Sequence, residues 1–262
     1  MHVNGPTALA GLLVGMVVGL TGVGGGALMT PILVLLFGVA PQTAVGTDLV
    51  FASITKVFGT AVHGRARTID WQVVRRLALG SLPASALTLV WMNLTATTRV
   101  KDGFLIEAVA VALLVTAVGM VFKERLHRIG RRFRLGDPDR FKYLQPGLTV
   151  LAGAILGVLV TLTSIGAGAL GTVMLVYLYP LRLDPARLVG TDLAHAIPLA
   201  LLAGFGHFRL GHVETGLLVN LLLGSIPGVV LGAMASSRAP TGFIRTGIAI
   251  LLIVVGLRML IH

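Results

Sequence analysis

Residues Thr21 to Leu28 read TGVGGGAL, and residues Thr163 to Leu170 read TSIGAGAL. Each stretch interrupts an apolar run that is too long for one straight membrane crossing. The apolar segments on either side are each shorter than the roughly 20 residues that a crossing helix needs. Irregular backbone at membrane depth occurs only where it is buried in protein or lines a cavity. The two stretches therefore predict two broken helices at corresponding places in the chain.

An internal repeat extends far beyond the two glycine-rich stretches. With a short insertion in the second copy, VGTDL at 45–49 aligns with VGTDL at 189–193, and LGSLP at 79–83 aligns with LGSIP at 223–227. Self-similarity on this scale indicates two structurally similar halves.

The composition excludes most soluble proteins. Of 262 residues, 55% are apolar and 12% are charged, and the mean hydropathy is +0.93. A soluble domain is usually about 25% charged, so a soluble enzyme or a free DNA-binding domain is excluded. We expect an all-α polytopic membrane protein that forms a single integral membrane domain. Its predicted parts are a first transmembrane repeat at 1–122, a basic cytoplasmic linker at 123–145 and a second repeat at 146–262.

The distribution of charge predicts the topology. Each repeat holds about five apolar segments, which gives eight to ten membrane segments in all. Placing the basic linker in the cytoplasm puts most other arginines inside as well if each repeat crosses an odd number of times. The repeats are then inverted and both termini lie outside. Whether each break is a re-entrant hairpin or two short crossings stays open.

Two smaller expectations follow from the charges. The net charge of +11 is interpreted as loop charge and not as a nucleic-acid surface, and residues 123–142 are suited to anionic lipid headgroups. Met1 to Thr7 contain no lysine or arginine, so no cleavable signal peptide is expected. The absence of cysteine excludes disulfides and thiolate metal sites, and no other metal or cofactor is predicted.

The glycine-rich breaks are the predicted substrate-binding elements. A half-helix that begins at such a break directs its free N–H groups toward it, which favours an anion. Paired broken helices in two repeats also indicate a transporter site. The alternative is that these glycines only permit close helix packing. The predicted binding residues of the breaks are Thr21, Gly22, Gly24, Gly25, Gly26, Thr163, Ser164, Gly166 and Gly168.

Two aspartates are candidates for ion coupling. Asp48 and Asp192 each follow a helix-opening proline, Pro41 or Pro185, by seven residues, which is about 10 Å along a helix. Acidic side chains at such depth in a membrane are functional by default, although N-capping is the alternative. Thr47 and Thr191 precede them and are assigned to substrate binding.

Further side chains complete the predicted site. Lys56 lies eight residues after Asp48 and is assigned to the anion, with snorkelling to the surface as the alternative. His195 lies three residues after Asp192 and is assigned to proton coupling, with a buried structural histidine as the alternative. Four residues are predicted at helix kinks: Ser81, Pro83, Ser225 and Pro227.

These motifs resemble the TauE/SafE sulfite exporter family, also called the sulfite/organosulfonate or toluene-sulfonate uptake permease group. The resemblance rests on GLTGVGGGALMTPIL, on VGTDLVF with a downstream HGR, and on LGS-x-P, with matching segments in the second half. It implies a carrier of small sulfur-containing anions in a bacterial or archaeal inner membrane. The second copy departs from the first by Ser164 in place of Gly22 and Ala167 in place of Gly25.

The predicted function is a secondary transporter of a small sulfur-containing anion, such as sulfite, sulfoacetate or a similar sulfonate. It is expected to be ion- or proton-coupled and to work by alternating access. The alternative is an anion channel or passive permeation pathway. An enzyme is not expected, because the chain has neither HExxH nor GxSxG. The expected partners are the anion and the lipid bilayer but no nucleic acid, and a homo-oligomer stays open.

Overall fold

The chain folds into helices throughout the part that the structure describes. The computed structural model describes residues 5–21, 26–65, 68–95, 102–136, 138–166, 168–235 and 241–261. These ranges contain ten helices and no strand, which confirms the all-α prediction. The helices are α1 (Gly5–Thr21), α2 (Gly26–Phe37), α3 (Pro41–Arg65), α4 (Trp71–Thr95), α5 (Asp102–Gly136), α6 (Pro138–Thr163), α7 (Ala169–Leu178), α8 (Pro185–Arg209), α9 (Thr215–Ala235) and α10 (Thr241–Ile261).

Helix lengths agree with a membrane protein that contains broken helices. Within the described residues, four segments are long and apolar enough to cross a membrane: Trp71–Leu94, Phe141–Thr163, Pro185–Arg209 and Thr215–Gly232. Helices α2 and α7, which follow the two breaks, have only 12 and 10 residues. A helix that short cannot span the bilayer alone, so each must end at a break inside the protein.

The predicted basic linker is helical. The sequence places a polar loop at 123–145, but α5 continues through this stretch to Gly136 and α6 begins at Pro138. Arginine, lysine, glutamate and leucine favour helix. Gly130 on this extension packs against the backbone carbonyl of Tyr177, while Arg128, Arg131 and Arg132 are exposed. The extension is therefore an amphipathic helix docked on α7.

The first helix of each half packs against a helix of the other half, and we call this arrangement the helix exchange. α1 of the first half packs along α9 of the second, and α6 packs along α4 in the same way. Gly11 meets the carbonyl of Leu221, and its repeat equivalent Gly153 meets the carbonyl of Leu77. The backbones of two helices approach this closely only at a residue without a side chain, such as glycine. Much of the glycine therefore serves packing, in addition to the glycine at the breaks.

Helices α3 and α8 hold the two halves together at the centre, and they run in opposite directions. The Thr47 hydroxyl near the start of α3 accepts a hydrogen bond from the backbone N–H of Glu214, just beyond the end of α8, at 3.1 Å. The Thr191 hydroxyl near the start of α8 accepts one from the N–H of Asp70, beyond the end of α3, at 3.0 Å. We call the end formed by 68–70 and 179–184 the Arg182 end, and the end formed by 38–40 and 210–214 the His212 end.

A glycine-to-alanine pair tests the helix exchange. A Cβ at Gly224 would collide with the carbonyl of Ala8 on α1, whereas one at Gly247 on α10 would meet nothing within 4 Å. We expect Gly224→Ala to destabilise the protein by about 1–3 kcal/mol through overpacking. Gly247→Ala should be neutral or stabilise by about 0.5–1 kcal/mol. Thermal unfolding in detergent measures both, and equal behaviour of the two variants would contradict this packing.

Candidate functional site

The second glycine-rich break is a left-handed turn between two helices. After α6 ends at Thr163, Ser164, Gly166 and Gly168 have φ angles of 59°, 128° and 121°, which lie in the region that favours glycine. The first copy has glycine at all three equivalent positions, 22, 24 and 26. Ser164 is thus a non-glycine residue held in an uncommon conformation, a feature that concentrates at functional sites.

Parts of the predicted breaks lie outside the described residues. These are Gly22, Gly24 and Gly25 of the first break and Ala167 of the second. Thr21 ends α1 and Gly26 begins α2. In the second break, the Thr163 hydroxyl donates to the carbonyl of Leu159 at 2.6 Å and accepts from the N–H of Ile165 at 3.1 Å. Thr163 therefore shapes the turn.

Four ionisable side chains meet where α3 packs on α8. Asp48, Asp192 and His195 are fully buried, and Lys56 is 3% exposed. Lys56 interacts electrostatically with the other three. Both aspartates lie well inside their helices, and the N-cap of α8 is Asp184, so N-capping does not explain Asp192. Lys56 is enclosed by protein and does not snorkel to the surface.

Asp48 is hydrogen-bonded to a residue that the sequence analysis missed. The Thr30 hydroxyl on α2 donates to Asp48 Oδ2 at 2.7 Å. Ser164 at the second break interacts with Asp48. Among the described residues, neither the Ser164 hydroxyl nor Asp48 Oδ1 has a partner at hydrogen-bond distance and angle. Asp48 therefore connects α2 of its own half with the break of the other half. The repeat alone offered a signal for Thr30, because the second half has a threonine, Thr172, at the equivalent position.

Asp192 has a different environment from its repeat equivalent. Within the described ranges, neither of its carboxylate oxygens has a hydrogen-bond partner. Its Oδ1 lies against Gly171 in the first turn of α7, where a Cβ would collide with it. The Thr172 hydroxyl donates at 2.8 Å to the carbonyl of Ala169 on its own helix. The glycine at 171, where the first half has Met29, leaves room for the carboxylate beside the positive end of α7.

His195 is hydrogen-bonded to Ser81, a residue that the sequence analysis predicted at a helix kink. Ser81 Oγ on α4 lies 2.8 Å from His195 Nε2, while Nδ1 has no partner in the part of the chain that the structure describes. The repeat equivalent of His195 is Phe51, and Ser225 Oγ has no partner among the described residues. Pro83 and Pro227 are exposed within α4 and α9. Ser81 thus joins the charge cluster, and the two LGS-x-P motifs are chemically unequal.

Thr47 and Thr191 were predicted to bind substrate, but the structure places them at the contacts between halves. Each hydroxyl accepts the backbone N–H that precedes a helix of the other half, α9 for Thr47 and α4 for Thr191. Both side chains are fully buried. They therefore join α3 to the loop before α9 and α8 to the loop before α4. Their role in substrate binding stays a prediction.

The Arg182 end is closed by a network between the two halves. The Arg182 guanidinium forms a bidentate ion pair with Asp70, at 2.6 and 2.9 Å, and also donates to Gln72 at 2.7 Å. Arg76 of the first half donates to the Tyr179 hydroxyl at 3.3 Å, and this hydroxyl also lies 2.8 Å from Thr149 Oγ1 of its own half. The His212 end has Gly38 at the position equivalent to Arg182, so the same ion pair is not available there.

Comparison with known proteins agrees with the resemblance. The family model for the sulfite exporter TauE/SafE matches residues 7–259. A Bacillus subtilis protein named "Probable membrane transporter protein YjnA" is 39% identical over 257 residues, which cover 96% of this chain and 98% of the relative. A Haemophilus influenzae protein named "Probable membrane transporter protein" is 25% identical over 271 residues, covering 96% of each. No solved structure matches the chain.

Threonine-to-valine variants test the contacts between halves. Thr47→Val and Thr191→Val each leave a backbone N–H without its acceptor, which costs about 1–3 kcal/mol in a buried place. We expect both to lower the thermal stability by similar amounts. Thr55→Val is the control, because the Thr55 hydroxyl only donates to carbonyls of its own helix and its loss should cost less than about 1 kcal/mol. A larger effect at Thr55 would contradict this assignment.

Proposed function

This chain is a membrane transporter of the sulfite exporter TauE/SafE family, and from that premise we propose that it carries a small sulfur-containing anion across the inner membrane of a bacterium or archaeon. Sulfite, sulfoacetate and related sulfonates are the candidate substrates. The observation that carries the proposal is the buried cluster of Lys56 with Asp48, Asp192 and His195.

The cluster is suited to an anion that is brought out of water. Among the residues whose burial the structure describes, Lys56 is the only lysine or arginine with a buried side chain. An ammonium in a medium of low dielectric attracts an oxyanion far more strongly than one at the surface. The first turn of α7 adds the positive end of a helix dipole beside Asp192. We propose that the substrate binds between these two positive groups.

The burial of the cluster favours a carrier over a channel. A conducting pore would leave its binding groups in contact with water, whereas Asp48, Asp192 and Lys56 are at most 3% exposed. Access must therefore come from movement of the protein. We propose alternating access by rocking of the two repeats, in which the Arg182–Asp70 ion pair closes one end.

We propose that the two repeats are inverted and that the Arg182 end faces the cytoplasm. The antiparallel course of α3 and α8 supports the inversion, and the positive-inside rule supports the orientation. Both termini then lie outside, and the exposed basic face of the α5 extension contacts anionic lipid headgroups. The basic residues on the Arg182 side are Arg75, Arg76, Arg125, Arg128, Arg131, Arg132, Lys142, Arg182 and Arg187.

Single cysteines test the topology in a chain that has no native cysteine. Ala40 and Leu181 are exposed in the equivalent loops before α3 and α8. A membrane-impermeant maleimide should label Ala40→Cys in intact spheroplasts and Leu181→Cys only in inverted vesicles. Labelling of both variants from the same side would rule out inverted repeats.

Flux measurements on proteoliposomes test the transport function. We expect saturable uptake of labelled sulfite, sulfoacetate or methanesulfonate, and acceleration of that uptake by the unlabelled anion inside, which a channel does not show. Lys56→Met should reduce uptake at least about 100-fold, equivalent to about 2.8 kcal/mol of lost binding. Lys142→Met removes an exposed charge and is the matched control.

The outcomes separate the two functions. Flux of these anions without counterflow would favour a channel. No flux of any of them, with both variants as stable as the wild type, would refute the proposed substrate class.

A further inference from the structure

We infer that the two aspartates have different tasks: Asp192 takes up and releases the proton that accompanies the anion, whereas Asp48 stays ionised as the permanent partner of Lys56. This inference rests on the proposed transport function and specifies how its proton coupling works. The residue that keeps the two tasks apart is Thr30, a positioning residue on α2.

Lys56 is the one buried ammonium that acts on both aspartates. Asp48 and Asp192 are fully buried, and the half-buried Lys123 also acts on Asp192. Ions taken out of water must be paired or neutralised. Lys56 can balance only one of the two carboxylates, and a proton neutralises the other when the anion is bound.

Asp48 has a hydrogen-bond donor and a nearby positive charge, and both stabilise an ionised carboxylate. Thr30 donates a hydrogen bond to its Oδ2 at 2.7 Å, and Lys56 lies on the same helix, within electrostatic range. A hydrogen bond to the charged form stabilises that form. Met29 and Thr30 occupy the positions equivalent to Gly171 and Thr172, so this support exists in the first half only.

Asp192 has no such support. No described residue donates a hydrogen bond to either of its oxygens, although the side chain is fully buried. The charged groups that act on it are Lys56 on α3, which also serves Asp48, and the half-buried Lys123 on α5. Its own helix contributes His195, and α7 contributes no charged side chain. The positive end of α7 and Lys123 also act on Asp192, but neither donates a hydrogen bond to it. Among the described residues, Asp192 therefore lacks the direct donor that Asp48 has in Thr30.

The position of Asp192 explains why proton and anion move together. Its carboxylate lies against Gly171 at the positive end of α7, close to the place that an oxyanion would occupy. Two negative charges there repel each other in a medium of low dielectric. Transfer of one proton from water to Asp192 removes that repulsion and admits the anion. Departure of the anion restores the carboxylate when the proton returns to water on the other side.

Infrared spectroscopy tests the assignment without any transport measurement. The purified protein in mildly acidic buffer should show the carbonyl band of a buried, protonated carboxylic acid. We expect Asp192→Glu to shift the frequency of this band and Asp48→Glu to leave it unchanged, because both variants keep the number of charges in the cluster. A band that is absent from the wild type, or whose frequency shifts in Asp48→Glu alone, would overturn the inference.

A second pair of variants keeps the test valid if an aspartate variant fails to fold. Thr30→Val removes the donor to Asp48, so that both carboxylates then compete for the proton, and a second band should appear. Thr172→Val removes a hydroxyl that bonds only to Ala169 of its own helix and should leave the spectrum unchanged. Identical spectra for the two variants would contradict the role of Thr30.

Transport assays with methanesulfonate, which stays ionised across the pH range, complete the test. In Asp192→Asn we expect anion exchange to persist while the acceleration of net uptake by an inward proton gradient is lost. Persistence of that acceleration would overturn the inference even where exchange confirms the transport function. Loss of all flux by the wild type would refute the proposed substrate class, and the infrared result would still decide which aspartate holds the proton.

Discussion

The ammonium of Lys56, buried within electrostatic range of two carboxylates, is the interaction on which the rest of the arrangement depends. Charges at such depth are tolerated only if each has a partner. The protein meets this requirement by bringing α3 and α8 together along their length, because Asp48 and Lys56 come from one helix and Asp192 and His195 from the other.

The exchange of helices between the halves provides the frame for the cluster. α1 packs on α9 and α6 packs on α4 through glycines that face backbone carbonyls. Neither half could bury its own helices in this way if the other were removed. Thr47 on α3 and Thr191 on α8 each accept a hydrogen bond from the loop that follows the other of these two helices. A change in the relative position of the halves must therefore alter the surroundings of the charges as well.

The two halves share a fold but differ in chemistry. His195 stands where the first half has Phe51, Gly171 where it has Met29, and Arg182 where it has Gly38. These differences change what the neighbouring side chains can bind: among the described residues, Ser81 has a partner and Ser225 has none. A symmetric frame with asymmetric side chains suits the proton-coupled transport proposed above.

Much of this could be predicted from the sequence, because hydropathy, glycine breaks and repeated motifs are local or periodic signals. They determined the helical membrane class, the short helices at the breaks and the family, and they singled out Asp48, Lys56 and Asp192 as candidate site residues. Only the tertiary structure decided which side chains meet. Thr30 with Asp48, Ser81 with His195, and Gly171 with Asp192 join residues of different helices, and no spacing along one helix encodes such contacts. The helical course of residues 123–136 also depended on packing, since the docking of Gly130 against α7 is a contact that composition alone does not show.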